Sequence, residues 1–222
     1  MDALLPALLL SLKVAGWSTL IALVLGAGAG YALSRMSLTG KEILDSLLTL
    51  PMVLPPTVLG YYLLVLIGRR SILGRWLYDT FDIRLVFTWQ GAVIAAVVVI
   101  FPLVFKPARA AFEEVDPQLE QAARTLGLSD VSIFFRVTLP LAWRGILTGA
   151  LLAFARALGE FGATLMVAGS LPGKTQTISI AIYEAVQAGD ETTALTLVLV
   201  VSVVCVLLMI GSSRLKPHKR VD

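Results

Sequence analysis

The sequence reads as an all-α polytopic membrane helix bundle of about five transmembrane helices. Three observations carry that reading. The 222 residues are 57% apolar and only 15% charged, with a mean hydropathy of +0.86, against roughly 45–50% and 25% in soluble domains. Four uncharged runs, 14–34, 46–68, 85–105 and 192–213, each supply the roughly 20 apolar residues that a span needs. A fifth run, 141–165, is apolar apart from Arg144, Arg156 and Glu160.

The start, MDALLPALLLSLK, has an acid at Asp2 and its first base at Lys13. A cleavable signal peptide opens on a basic stretch, so the first run is expected to stay in the membrane. Gly26, Gly28 and Gly30 in it suit close helix contact, within a subunit or between two. The second run holds Pro51, Pro55 and Pro56. Proline frees backbone carbonyls that must be satisfied inside protein or beside a wet cavity. Pro55 and Pro56 therefore mark either a structural kink or a helix beside a translocation path. The connection after it carries Arg69, Arg70, Arg75 and Arg84. These either pair with Asp79 and Asp82 or dock acidic groups of a partner.

The longest polar stretch, 113–140, reads EEVDPQLEQAARTLGLSDVSIFFRVTLP. Asp116 suits an N-cap, Pro117 the first helical position and Gly127 the left-handed position past the helix end. The helix between is about 15 Å long, with Ala122 and Ala123 making a small, smooth face and Leu119 and Leu126 offering apolar contacts. Ser129 caps a second short helix with Ile133, Phe134 and Phe135, and Pro140 is expected to break the chain before the fourth span. Such a knob is either a connector resting on the membrane or a docking element for another chain.

In the fourth run Arg156 and Glu160 are spaced i, i+4 and can pair on one helix face. Glu160 would lie about 28 Å along a helix begun near Leu141, toward the far edge. Arg156 could instead meet a passing oxyanion, whose geometry its guanidinium matches. The piece 175–183 is too short to cross and is expected to be half-inserted or interfacial.

Basic residues favour the cytoplasmic side. With the N-terminus outside, Arg35, Lys41, Lys106, Arg109, Arg124, Arg136, Arg144, Arg214, Lys216, Lys219 and Arg220, eleven of the 18 bases, fall inside. The N-terminus is thus expected outside and the C-terminus in the cytoplasm. AGSLPGKT, 168–175, nearly spells a phosphate-binding loop, with Gly173, Lys174 and Thr175 in place but Ala168 where glycine is needed. It follows a span instead of a strand and falls outside, so Pro172-Gly173 reads as a turn. Cys205 sits in an apolar run and His218 in the basic tail. No catalytic set, metal site, cofactor or nucleic-acid partner is expected. A secondary transporter or channel would need coupling carboxylates or repeats, and Glu160 is the lone deep carboxylate.

Residues 121–140 resemble the cytoplasmic loop motif of ABC importer permeases, roughly E-A-A-x3-G-x9-I-x-L-P. Gln121, Ala122, Ala123, Gly127, Leu139 and Pro140 fall in register, with Gln121 in place of Glu and Val137 in place of Ile. Glu120 sits one position earlier, and either Glu120 or Gln121 supplies the polar contact. The resemblance implies a type I ABC importer permease-like bundle in the inner membrane. It implies a coupling helix docked on a cytoplasmic ABC ATPase, two permeases with two ATPases, and an extracytoplasmic binding protein. LPMVLPPTVLGYYLL, GRRSILGRWLYD and ARALGEFGATLMVAGSLPGKTQTISIAIYEAVQAGD resemble molybdate importer permeases. GEFGAT and the PGKT piece are also similar to sulfate/thiosulfate permeases, so molybdate or tungstate is the implied cargo and sulfate the runner-up. A homodimer of this chain, in contact with membrane lipid, is implied as the permease pair.

Overall fold

The computed structural model describes residues 4–36 and 40–213, so the basic tail with Arg214, Lys216, His218, Lys219 and Arg220 lies outside the described residues. The helices run α1 Leu4–Arg35, α2 Lys41–Val53, α3 Pro56–Ile67, α4 Ile72–Phe81, α5 Trp89–Glu113, α6 Pro117–Thr125 and α7 Asp130–Ile133. A π-turn Phe134–Thr138 follows, then α8 Leu139–Leu158, α9 Gly162–Ala168, α10 Ile178–Gln187 and α11 Glu191–Ser213. Among the described residues, three helices are long and apolar enough to cross a membrane: Leu4–Arg35, Trp89–Glu113 and Asp130–Leu158. A fourth crosses if the bent pair α2 and α3 is one span, and α11 occupies the fifth expected run.

α5 is the axis of the bundle. Lipid tails are as apolar as leucine, so spanning helices associate through close packing of small residues. α1 presents Gly26 and Gly30 to α5: a Cβ at Gly26 would lie 3.1 Å from the Phe105 nitrogen, and one at Gly30 2.9 Å from the Arg109 nitrogen. Gly28 faces open space. This places the expected glycine contact within the chain and on two of the three glycines. α8 repeats the device with Gly145 against Ala111 and Gly149 against the Leu103 carbonyl, where a Cβ would come within 2.9 Å. Pro107 lacks the N–H that a helix would aim at that carbonyl, which leaves it open to α8. Ala15, Ala22, Ile100, Val104, Ala153, Ala157 and Leu158 fill the shared core.

The second expected span is two helices meeting at 110°. Leu54 (ψ 140) and Pro55 (ψ 137) are extended because each precedes a proline, whose ring excludes the helical region for its predecessor. The helix expected over 141–165 ends at Leu158 and resumes at Gly162, so Glu160 stands in a break and not within a continuous helix. Pro140 does not break the chain: Asp130–Leu158 runs as one 29-residue helix. Its π-turn sends the Leu139 N–H to the Phe134 carbonyl, five residues back. The widened turn gives room where the Pro140 ring would otherwise press on the preceding turn.

α5 extends to Glu113, eight residues past the expected run 85–105, so Lys106 and Arg109 are helical. They bind α2 to α5. Asp45 accepts from Arg109 and from Lys106, and Glu113 accepts from Lys41 at 2.8 Å and from Arg109 at 3.0 Å. α10 covers 178–187, later than the expected 175–183, and buries Ile178 and Ile180. The Ile178 N–H donates to Ser11 Oγ of α1 at 2.8 Å. Asp190 caps α11 by accepting from the Thr193 N–H at 3.0 Å. Hydrogen bonding from Thr193 holds its carboxyl below the usual aspartate range. The cap is therefore present at neutral pH and is lost as pH falls through that lowered value.

Candidate coupling site and helix-break joint

The knob is built as its residues suggest. Asp116 accepts from the Gln118 N–H at 2.9 Å, Pro117 opens α6, and Ser129 accepts from the Ser132 N–H at 3.4 Å. At the end of α6 the Leu128 N–H reaches the Ala123 carbonyl (3.2 Å) and the Gly127 N–H the Arg124 carbonyl (2.9 Å). This crossed pair is a Schellman cap, and it needs the φ of +81° that Gly127 adopts. Arg124 and Asp130 close the turn with a 3.0 Å ion pair.

α6 buries two of its nine residues, Glu120 and Ala123. Gln121, Ala122, Thr125, Leu126 and Gly127 are exposed, so the smooth face is Ala122 alone and Ala123 turns inward. Leu126 is 81% exposed and Leu119 48%, so both present apolar surface outward. Glu120 is only 7% exposed. Its carboxylate accepts from Arg35 at the end of α1 and from Thr138 Oγ1 in the π-turn, the latter at 2.6 Å. Of the two candidates for an outward polar contact, Gln121 is the one that faces out.

Below the knob, Tyr31 of α1, Phe112 of α5 and Phe134 of the π-turn form an edge-to-face cluster. Its ring centroids are 5.2 Å apart for Tyr31–Phe112 and 4.7 Å for Tyr31–Phe134. Ile133 is buried there, while Phe135 is 61% exposed, so the three apolar residues split between inside and outside. Leu139 packs at the edge of the buried Ala108–Phe112–Ile146 cluster and Pro140 is exposed at the start of α8. The sequence places Arg35 only among the bases expected inside, and nothing in it singles out Thr138 or Tyr31. Thr138 occupies the variable position between Val137 and Leu139, and Arg35 lies 85 residues from Glu120, a separation at which no local pattern speaks.

The second group of candidates is brought together at the two helix breaks. A Cβ at Gly162, the start of α9, would lie 2.9 Å from Pro56 Cβ, and one at Gly60 would lie 2.6 Å from Met166 Cβ. α3 and α9 thus pack backbone to backbone beside Pro55 and Pro56. Glu160, 2% exposed at its side chain, accepts from the Ala163 N–H at 3.0 Å through Oε1 and pairs with Arg156 Nη1 at 2.8 Å through Oε2. That second contact is an ion pair without hydrogen-bond alignment. Arg156 remains 38% exposed at its side chain. Glu160→Ala should remove the α9 cap and strand Arg156, costing about 2 kcal/mol. Glu160→Gln, which keeps an acceptor, should cost less. Thermal unfolding of the purified chain measures both.

The far end of the bundle holds α4 and the AGSLPGKT turn. Arg69 and Arg84 lie over the Tyr78 ring, 5.6 and 5.0 Å from its centroid. Among the described residues none of Arg69, Arg70, Arg75 or Arg84 forms an ion pair with Asp79 or Asp82. The turn closes on itself: Thr175 Oγ1 accepts from the Leu171 N–H at 3.0 Å, and the Leu171 carbonyl accepts from Lys174, Thr175 and Gln176. A loop whose amides bond inward offers no phosphate cradle. Among the described residues no His/Cys/Asp/Glu group could hold a metal ion.

An all-helical membrane bundle carrying a capped knob at one end and a pair of broken helices is a permease-type architecture. The chain belongs to the binding-protein-dependent transport system inner membrane component family, whose profile matches residues 7–221. It is 50% identical over 195 residues to the molybdenum transport system permease protein ModB of Escherichia coli K12, covering 87% of this chain and 85% of that one. A sulfate transport system permease, CysW of Synechocystis, is 40% identical over 161 residues, 72% of this chain and 58% of that one. In fold it matches the inward facing MetNI methionine ABC transporter, with a TM-score of 0.73 at 17% identity over 96% of this chain and 94% of that one.

Proposed function

We propose that this chain is the membrane-spanning permease subunit of an ATP-driven ABC importer for molybdate, with tungstate as a related cargo. The observation that carries the reading is the knob: a short helix with an exposed outer face, capped at both ends and bound to α1 through Arg35 and to the π-turn through Thr138. The 50% identity to a molybdenum permease over most of both chains supports the cargo. Two copies of the chain pair in the membrane with two cytoplasmic ATPase chains, and an extracytoplasmic binding protein delivers the oxyanion. The knob faces the cytoplasm. α4 and 168–175, at the opposite end of the bundle, face outward, with the N-terminus outside and the C-terminus inside.

Closure of the ATPases on ATP draws the two knobs together and opens the route outward; hydrolysis returns it inward. Gln121 and Leu126 offer the exposed groups that an ATPase groove takes up. Ala122 permits close approach, Gly127 ends the helix, and Leu139 and Pro140 lead into α8. The joint of Pro55, Pro56, Arg156 and Glu160 flanks the route. Labelled molybdate uptake in cells lacking only this chain, with and without its restoration, tests the assignment at excess sulfate. Restored, sulfate-resistant uptake supports it. Uptake abolished by sulfate transfers the chain to a sulfate system.

A further inference from the structure

The Glu120 carboxylate faces the bundle, away from the surface that a docked chain would touch. It is the point at which three separate elements meet: α6, the end of α1 through Arg35, and the π-turn through Thr138. Desolvating a carboxylate is costly unless it is paired and hydrogen-bonded, and Glu120 has both a cation and a hydroxyl donor. Besides Glu120, α6 buries only the small side chain of Ala123. A nine-residue helix attached through one methyl group would rock on its turns. With Glu120 bound on two sides, a push on α6 moves α1 and the start of α8 with it. The π-turn is one of the elements that the push reaches, and π-bulges inside helices are frequent at functional sites.

We infer that Glu120 is a positioning residue for transport: with Arg35 and Thr138 it forms a latch that passes movement of the docked helix to α1 and α8, and it makes no contact with the ATPase. The inference rests on the proposed reading of the knob as the ATPase dock. It separates two jobs carried by neighbouring residues. Gln121 meets the partner, and Glu120 transmits.

The test uses the assembled importer in proteoliposomes, comparing wild type with Glu120→Ala, Glu120→Gln, Thr138→Val and Gln121→Arg. Two quantities are read: ATPase chain retained on the permease, and molybdate moved per ATP hydrolysed. Glu120→Ala should retain the ATPase chain and lower molybdate per ATP about tenfold, the size of an ordinary coupling energy. Glu120→Gln, which keeps an acceptor for both donors, should recover part of the loss. Thr138→Val removes one hydroxyl at constant shape and decides the matter should Glu120→Ala not fold. Arg35→Met added to Glu120→Ala should lower the ratio no further, because the two residues act as one unit. Gln121→Arg should instead lower retention. The latch is overturned if wild type transports and Glu120→Gln and Thr138→Val both keep the wild-type ratio, or if Glu120→Ala releases the ATPase chain as Gln121→Arg does. A wild-type complex that retains no ATPase chain, or moves no molybdate, overturns the function proposed above instead.

Discussion

Gly30→Leu should leave a chain that inserts but does not assemble its bundle. A single Cβ at Gly30 already comes within 2.9 Å of the Arg109 nitrogen and 3.2 Å of the Phe105 carbonyl oxygen, and both are backbone atoms of α5. Side chains can rotate away from an intruding methyl group, but a helix backbone must move as a whole. Moving α5 away from α1 opens the Ala15–Ala22–Ile100–Val104 core and separates the Tyr31 and Phe112 rings that support the knob. Overpacking of this kind costs about 1–3 kcal/mol for one or two methyl groups, so Gly30→Ala should be impaired and Gly30→Leu should lose the fold. Gly28→Leu, two residues away with nothing within 4 Å of its Cβ position, should keep the monomer's melting temperature. Thermal unfolding and size-exclusion profiles of the three variants in detergent check the ordering.

Substitution at Gly127 should impair transport by a different route, to a degree set by the residue introduced. Its Cβ position is open, so no clash is involved. The obstacle is the φ of +81°, which costs an ordinary residue roughly 1–2 kcal/mol and is a genuine outlier for a β-branched one. Relaxing that angle breaks the bonds from Leu128 to Ala123 and from Gly127 to Arg124, and α6 then has no fixed end. The expected order of transport is wild type, then Asn, then Ala, with Val and Pro inactive, while the spans stay inserted in every case. Uptake assays with a membrane-fraction blot measure both quantities. Full transport by Gly127→Pro would remove the knob from the mechanism.

Much of this architecture is legible in the sequence because membrane helices and caps are local. Runs of apolar residues mark the helices, and Asp116, Pro117, Gly127 and Ser129 carry the knob's geometry in their own backbone preferences. What the sequence leaves unread is of two kinds. One is the breaks. An apolar run such as 141–165 does not say that Gly159 ends a helix, since glycine is common inside spans, and it does not say that α9 will turn to meet Pro56. Likewise Pro140 looks like a stop, and only the wider π-turn lets the helix pass through it. The other is partnership across the chain. Glu120 looks like one more surface acid on a polar helix until Arg35 and Thr138 are placed beside it, and Ala123 looks equivalent to Ala122 until α6 is set against the bundle.

The most direct test places a photo-crosslinking amino acid at Gln121, on the exposed face of α6, in the permease co-expressed with its ATPase chain. A control carries the same group at Trp76 of α4, at the opposite end of the bundle. A crosslink to the ATPase chain from position 121 and none from position 76 is the expected result. A crosslink from position 76, or none from 121 in a complex that still hydrolyses ATP, would contradict the assignment of the knob as the point where the engine meets the permease.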